Sequence, residues 1–234
     1  MGAVYRKELR SYFTSMTGYI YLAAFLAISG FIFSTGNLLS QNADIKSFFA
    51  SISTVLIFLV PILTMRLLSE ERKLRTLQLL LTMPISIGDI VLGKFLAALT
   101  VFALGLAATL VYPLILAKYG GVEAWVAAGN YIGMILLVAT CIAIGLFISA
   151  LTENQIVAAI LTYVVLLGLS LLDSSTTGIR AEGLWRILRY ASLNSHFSDF
   201  ANGIFNPADI VFFLAVTLTF LAFSALAVDA RRSA

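Results

Sequence analysis

Charged residues divide the chain into six long stretches that contain no charge. The stretches are residues 11–43, 47–65, 95–117, 124–152, 154–172 and 210–228, and each is at least 19 residues long. A helix needs about 20 mostly apolar residues to cross the hydrocarbon core of a bilayer. Because backbone polar groups in lipid have to be hydrogen-bonded within their own segment, each stretch predicts a helix. The pattern therefore predicts an all-α membrane protein with six transmembrane helices in one domain, residues 1–234.

Local signals place the helix ends approximately. The first four helices are predicted at about residues 17–36, 48–68, 94–116 and 127–151, with Pro61 and Pro113 inside the second and third. The fifth helix begins after the turn at residues 151–155. Asn206 is a candidate N-cap for the sixth helix, because Pro207 follows it at the first helical position.

Residues 1–13, which precede the first crossing, are amphipathic when drawn as a helix. Arg6, Lys7 and Arg10 lie on one side, and the other side carries Met1, Tyr5, Leu9, Tyr12 and Phe13. This pattern predicts a helix in the inner membrane interface, with its basic side toward anionic headgroups. The alternative is a basic segment that serves only as a topology signal.

Residues 69–84 concentrate charge in a chain that has little of it. If residues 71–81 are helical, one stripe is apolar and Arg72, Lys73 and Arg75 point elsewhere; the stripe consists of Leu67, Leu74, Leu77 and Leu81. Glu70 and Glu71 stand at the helix start, where the helix dipole favours acidic residues. We predict a cytoplasmic amphipathic helix that docks onto a soluble partner. A solvated loop would explain the charges but not the leucines.

Residues 173–209 form the longest outer segment and have two amphipathic patterns. The first contains Leu184, Ile187 and Leu188, and the second contains Phe197 and Phe200. We predict two short outer helices, which either dip into the bilayer or lie on its surface. His196, with Phe197 and Phe200, is a candidate outer gate, or else a hydrogen-bonded interfacial histidine.

Composition supports a membrane location: 60% of the 234 residues are hydrophobic and 12% are charged, about half the charged share of a soluble domain. With the N-terminus inside, the inner segments hold ten Lys and Arg residues and the outer segments hold five. The excess of positive charge predicts that both termini are cytoplasmic. A cleaved signal peptide is not expected, because the first apolar run is too long.

Few residues are candidates for chemistry. The stretch GDIVLGKF, residues 88–95, approaches a phosphate-binding loop, but Phe95 replaces the Ser or Thr that would contact magnesium. Lys94 fits a lysine that extends its ammonium to the interface. Cys141 and His196 are the single residues of their kinds, so we expect no metal site. Gly129 and Gly133 have the GxxxG spacing, which we interpret as internal packing. We predict that the chain is not an enzyme, contains no cofactor and binds no nucleic acid.

Three stretches resemble one known family. EERKLRTLQLLLTMPISIGDIVLGKFLA, residues 70–97, resembles the cytoplasmic segment of ABC-2-type transporter permeases. SALTENQIVA, residues 149–158, resembles the turn between their fourth and fifth helices. SLNSHFSDFANGI, residues 192–204, resembles their outer segment, especially in the gliding-motility-type subgroup. Arg75 and Gln78 depart from the usual glycine and second acid.

The resemblance implies an ATP-driven exporter in a bacterial or archaeal plasma membrane. Two copies, identical or similar, would join two separate ABC ATPase subunits, which would bind ATP and magnesium. The coupling residues would be Glu70, Glu71, Arg72, Leu74, Arg75, Leu77, Thr82 and Pro84. Helices one and five would meet between the copies, and Gly30, Ser34, Ala158 and Ala159 are compatible with such a seam. Residues 173–209 would contain paired re-entrant helices.

An alternative is a mechanotransmission subunit that passes ATP-driven motion to an extracytoplasmic partner without transport. An intramembrane enzyme or channel has less support, because the spans contain no catalytic set of polar groups. The sequence does not identify the substrate.

Overall fold

The charge-free stretches form long helices in the computed structural model, which describes residues 1–40, 44–74, 86–119, 123–174 and 192–230. Every regular element in these ranges is helical. We number the α-helices of this described part as α1 Gly2–Thr14, α2 Met16–Phe33, α3 Ile45–Thr64, α4 Ser69–Lys73, α5 Ile87–Ala108, α6 Val111–Tyr119, α7 Ala124–Leu151, α8 Gln155–Ser174, α9 Leu193–Ala201 and α10 Pro207–Asp229. A π-helix, Ser34–Leu38, continues α2.

Five helical stretches of the described chain are long and apolar enough to cross a membrane: Met16–Leu38, Ile45–Lys73, Ile87–Lys118, Ala124–Leu151 and Pro207–Asp229. The chain is therefore a multi-pass membrane protein. The predicted fifth crossing corresponds to α8, whose segment Gln155–Leu171 is apolar but shorter than these five. A sixth crossing stays a prediction.

Capping side chains fix several helix starts. The Asn206 side chain accepts a hydrogen bond from the Ala208 amide at 3.1 Å, and Pro207 is the first residue of α10. The N-cap prediction for this helix is confirmed. Asp44 caps α3 in the same way through the Lys46 amide at 3.0 Å. Each cap pairs an amide that has no partner within its own helix.

The third long helix differs from its prediction. α5 begins at Ile87, seven residues before the predicted start at Lys94, with Ser86 as its N-cap. It ends at Ala108, and α6 follows from Val111. Pro113 lacks the amide that would bond to the Thr109 carbonyl, and a break there relieves this loss. Lys94 therefore lies two turns inside α5.

The predicted helix at residues 71–81 is only partly covered. α4 ends at Lys73, and residues 75–85 lie outside the described part of the chain. Leu67 is 2% exposed and Leu74 is 63% exposed. A turn at residues 65–68 separates α3 from α4, so helical periodicity does not continue through it. Leu67 and Leu74 therefore do not share one face, and the predicted stripe is wrong at Leu67.

α7 is the central helix of the bundle and packs against α3, α5, α8, α9 and α10. Its glycines allow close approach. A Cβ on Gly133 would lie 2.6 Å from the Phe200 Cβ, and one on Gly129 would lie 2.9 Å from the Phe200 carbonyl oxygen. The GxxxG pair thus receives a helix of the same chain, as the interpretation of internal packing required.

α9 begins deep inside the bundle. Leu193 and Asn194, its first residues, line a cavity with Leu137 of α7, and Ser53, Leu56, Ile57, Val138, Cys141, Leu166 and Ser170 complete the lining. Leu137 lies 13 residues after the first residue of α7. The start of α9 therefore lies about 20 Å along the bundle from that end of α7. The start of α9 is thus enclosed by other helices of the bundle, and the two alternatives for the outer segment, dipping into the bilayer or lying on its surface, stay predictions. The other predicted outer helix, at residues 184–191, lies outside the described residues.

Candidate functional site

α1, α4 and α5 meet at the end of the bundle that carries the N-terminus. Lys94 of α5 is 1% exposed. Its ammonium lies 2.9 Å from Glu8 Oε1 of α1 and 3.0 Å from Glu71 Oε2 of α4. An ammonium in this environment needs paired carboxylates, because burial of an isolated charge is strongly unfavourable. The lysine therefore joins two helices that are distant in sequence.

Lys7 closes this arrangement into a ring. Its ammonium lies 3.1 Å from Glu71 Oε1 and 3.8 Å from Glu8 Oε1. Cations and anions alternate around the ring, so each carboxylate faces two ammonium groups. We call Lys7, Glu8, Glu71 and Lys94 the charge ring. Two positive and two negative groups balance, which reduces the electrostatic cost of the buried position.

The charge ring also joins the helices that precede and follow residues 75–85. α4, which carries Glu71, precedes that segment, and α5, which carries Lys94, follows it. Gly93 allows α1 to approach α5 closely, since a Cβ there would lie 3.0 Å from Val4 Cγ1. The Tyr5 hydroxyl and Thr100 Oγ1, 3.1 Å apart, extend the same contact.

The end of α3 carries a second ion pair. Arg66 donates two hydrogen bonds to the Glu70 carboxylate, at 2.7 and 2.9 Å. Arg66 also donates a hydrogen bond of 2.7 Å to Thr17 Oγ1, at the start of α2. Tyr12 donates to the Leu63 carbonyl at 2.9 Å, and burial, with the nearby Glu8 carboxylate, raises the pKa of Tyr12 far above its usual value.

α4 is also attached to the turn between α7 and α8. Arg72 donates to the Ala150 carbonyl at 2.8 Å and lies 3.1 Å from Glu153 Oε1. Ser149 Oγ accepts the Leu68 and Ser69 amides at 3.1 and 3.0 Å. These amides stand at the break between α3 and α4, where no helical carbonyl is available to them.

The predicted coupling residues fall into two groups. Glu70, Glu71 and Arg72 contact other parts of the same chain, whereas Leu74 is exposed. Arg75, Leu77, Thr82 and Pro84 lie outside the described residues.

The basic residues of α1 also fall into two groups. Arg6 and Arg10 are exposed, while Lys7 belongs to the charge ring. The apolar side of α1 packs on α5 and α2, and its location in a membrane interface stays a prediction.

Several contributors to this end of the bundle were not predicted, among them Glu8, Arg66, Lys94, Ser149 and Glu153. Lys94 was interpreted as extending its charge to the interface, which is wrong because it is buried and paired. A signal for Lys94 was present in the sequence, since it is a lone cation inside a helix of apolar residues. Glu8 is the only acid among the first 43 residues. Ser149 carries no sequence signal of its acceptor role.

The predicted outer-gate residues lie together in α9, near the opposite end. His196 Nδ1 and Asp209 Oδ1 are 2.5 Å apart, and the His196 ring stacks on Phe212 with centroids 4.0 Å apart. Phe197 and Phe200 are buried. Asn130 of α7 donates to the Ala201 carbonyl at 3.2 Å. α9 is therefore fixed to α7 and α10 by both packing and hydrogen bonds.

Ala158, suggested for a seam between two copies, is fully buried in its own chain. Its side chain therefore does not face outward, and it is not available to a second copy. In the described ranges, no cluster of three or more His, Cys, Asp or Glu residues is arranged to hold a metal ion.

Comparison with known proteins gives one assignment. A family model described as "ABC-2 family transporter protein" matches residues 3–176, about three quarters of the 234 residues. A search of curated proteins returns no match. The matched region includes the charge ring, α4 and the α7–α8 turn. The chain belongs to the ABC-2 transporter family and is a membrane permease component of an ABC transporter.

Proposed function

We propose that the chain is the transmembrane subunit of an ATP-driven exporter, in which two copies form the translocation path. Separate ABC ATPase subunits bind ATP and Mg²⁺ and hydrolyse the nucleotide. The bias of Lys and Arg supports a cytoplasmic location for both termini and for the end that carries the charge ring. The membrane is then the plasma membrane of a bacterium or archaeon.

The observation that carries this proposal is the direct contact between the two helices that flank residues 75–85. Glu71 and Lys94 pair directly, so the helices before and after that segment are joined. Arg72 and Ser149 attach the same place to the α7–α8 turn. A force applied to the segment would therefore reach α1, α5 and α7 together.

In this proposal the ATPase contact consists of the exposed Leu74 and the following residues Arg75, Leu77, Thr82 and Pro84. Leucines would pack in a groove of the ATPase, and Arg75 would supply a charged contact. Glu70, Glu71 and Arg72 would instead hold the segment in position through their intrachain partners. Arg6 and Arg10, exposed on α1, would face anionic lipid headgroups.

The second copy would cover apolar surface that one copy leaves exposed. α2 and α8 carry large exposed side chains, namely Met16, Tyr19, Ile20, Phe31, Ile156, Ile160, Val164 and Leu171. Lipid or a second permease would bury this surface. Gly30, Ser34 and Ala159 are the small residues that stay compatible with a seam.

Substitution of Leu77 by Asp tests the docking assignment. A carboxylate in an apolar groove would lose its hydration, so we expect the variant to insert in the membrane but to lose its ATPase partner. Thr76→Asp is the matched control, because on a helical wheel position 76 points away from Leu74, Leu77 and Leu81, so the same charge is added off the leucine stripe. Co-purification and ATP turnover in nanodiscs provide the measurements. Normal turnover by Leu77→Asp would show that docking occurs elsewhere.

Vesicles containing the complete complex would separate export from mechanotransmission. ATP turnover with accumulation of a solute supports export. ATP turnover without transport of a solute would favour the mechanotransmission alternative. In that case the chain would pass motion to an extracytoplasmic partner, as the resemblance to the gliding-motility-type subgroup suggests.

A further inference from the structure

We propose that Lys94 is a positioning residue for coupling: through the charge ring it makes α1, α4 and the start of α5 move as one unit. This inference depends on the proposed function, in which force enters through residues 75–85. Lys94 would contact neither ATP nor substrate. It would act through Glu8 and Glu71, whose carboxylates lie 2.9 and 3.0 Å from its ammonium.

The geometry of the ring supports a connecting role. Its four side chains come from three helices, and every ring contact of Glu71 and Lys94 is made with a residue of another helix. Lys94 is the most buried member, since its side chain is 1% exposed and that of Lys7 is 59% exposed. A relative displacement of α4 and α5 would separate buried charges. Such separation is far less favourable than at a solvated surface pair.

Packing alone would not join α4 firmly to α1 and α5. α4 has only five residues, and Ser69 and Glu71 are its buried members. It therefore has little apolar surface with which to hold its position. The buried carboxylate of Glu71 is the contact that directs α4 toward both α1 and α5. Loss of that contact would leave α4 attached mainly to the α7–α8 turn.

A neutral double variant separates positioning from folding. Lys94→Met alone would leave the Glu8 and Glu71 carboxylates without their shared ammonium, and we expect it to be unstable. Lys94→Met combined with Glu71→Gln removes one charge of each sign and keeps Lys7 beside Glu8. We expect this double variant to fold with a melting temperature close to that of the wild type. Lys118→Met, which removes an exposed lysine from α6, is the control.

Two readouts apply to the folded double variant. Amide exchange in α1 and α4 should become about tenfold faster, while exchange in α9 stays unchanged. In the complex, kcat for permease-stimulated ATP hydrolysis should fall at least about fivefold, with KM for ATP unchanged because ATP binds on the partner. If the stable double variant keeps wild-type exchange and wild-type kcat, the charge ring does not position the segment and the inference is wrong.

Two further outcomes are decisive. If the double variant does not fold, Glu71→Gln alone removes both ring contacts of α4 while Lys94 keeps its pair with Glu8; unchanged exchange in α4 and unchanged kcat in this variant would overturn the inference. If the wild-type chain binds no ATPase, the proposed function fails, but amide exchange in the chain alone still reports whether the ring joins the three helices.

Discussion

At the scale of single residues, Gly133 shows how a missing side chain positions a helix. A Cβ at this position would meet Phe200 at 2.6 Å, whereas a Cβ on Gly168 of α8 would meet nothing within 4 Å. Both glycines lie inside helices of the same chain. Their environments differ. The GxxxG spacing predicted close packing at Gly133, but it does not reveal which helix approaches this position.

We predict that Gly133→Ala lowers the free energy of unfolding by about 1–3 kcal/mol, because Phe200 would have to move. Gly168→Ala should be neutral or stabilising by up to about 1 kcal/mol, since alanine favours the helical conformation. Reversible unfolding in mixed micelles provides the measurement. Equal effects of the two substitutions would contradict the packing of α9 against α7.

A hydroxyl group has a comparable role at the opposite end of α7. Ser149 Oγ is the acceptor for two amides at the break between α3 and α4. We predict that Ser149→Ala costs about 1–3 kcal/mol of stability, because buried amides would lose their partner. Ser51→Ala is the control, since Ser51 is exposed and bonds only within its own helix in the described contacts. Amide exchange at Leu68 and Ser69 should rise in the first variant alone.

At the scale of elements, α9 differs from a surface helix because it begins in the interior of the bundle. Leu193 at its start is buried at mid-height in the bundle, while Ser198 one and a half turns later is exposed. In lipid, such a helix is tolerated where its backbone is buried in protein or lines a cavity.

We predict that a membrane-impermeant maleimide labels Ser198→Cys but not Leu193→Cys. Both variants are made in a Cys141→Ala background, although Cys141 is itself buried. The rate of labelling is measured in intact cells by a mass shift. Comparable rates at both positions would show that α9 lies on the surface.

At the scale of the whole molecule, alternating helix directions place both ends of α4 and the N-terminus at one end of the bundle. The proposed orientation makes this end cytoplasmic. We predict that Arg10→Cys is labelled only after permeabilisation, whereas Ser47→Cys is labelled in intact cells; both positions are exposed. The reverse labelling pattern would show that the topology is inverted. Residues 75–85 would then lie outside the cell and could not contact a cytoplasmic ATPase.

The sequence by itself determined the class of protein, because local composition decides whether a segment is stable in lipid. It located the long helices and the Asn206 cap, and its motifs led to the transporter family. It missed the early start of α5, since Asp89 and Lys94 interrupt the apolar pattern. The buried charge of Lys94 is stable in this helix because carboxylates from two other helices balance it.

The tertiary structure decided which charges meet. Lys94 and Glu8 are 86 positions apart, so no local pattern predicts that they are paired. For the same reason Glu71 and Arg72 were interpreted as contacts to a partner protein, although they pair with Lys94 and Glu153 of their own chain. Glu70 was interpreted in the same way, but it pairs with Arg66 four residues earlier. Periodicity records which face of a helix is apolar. It does not record which other helix covers that face, because this depends on how all the helices pack together.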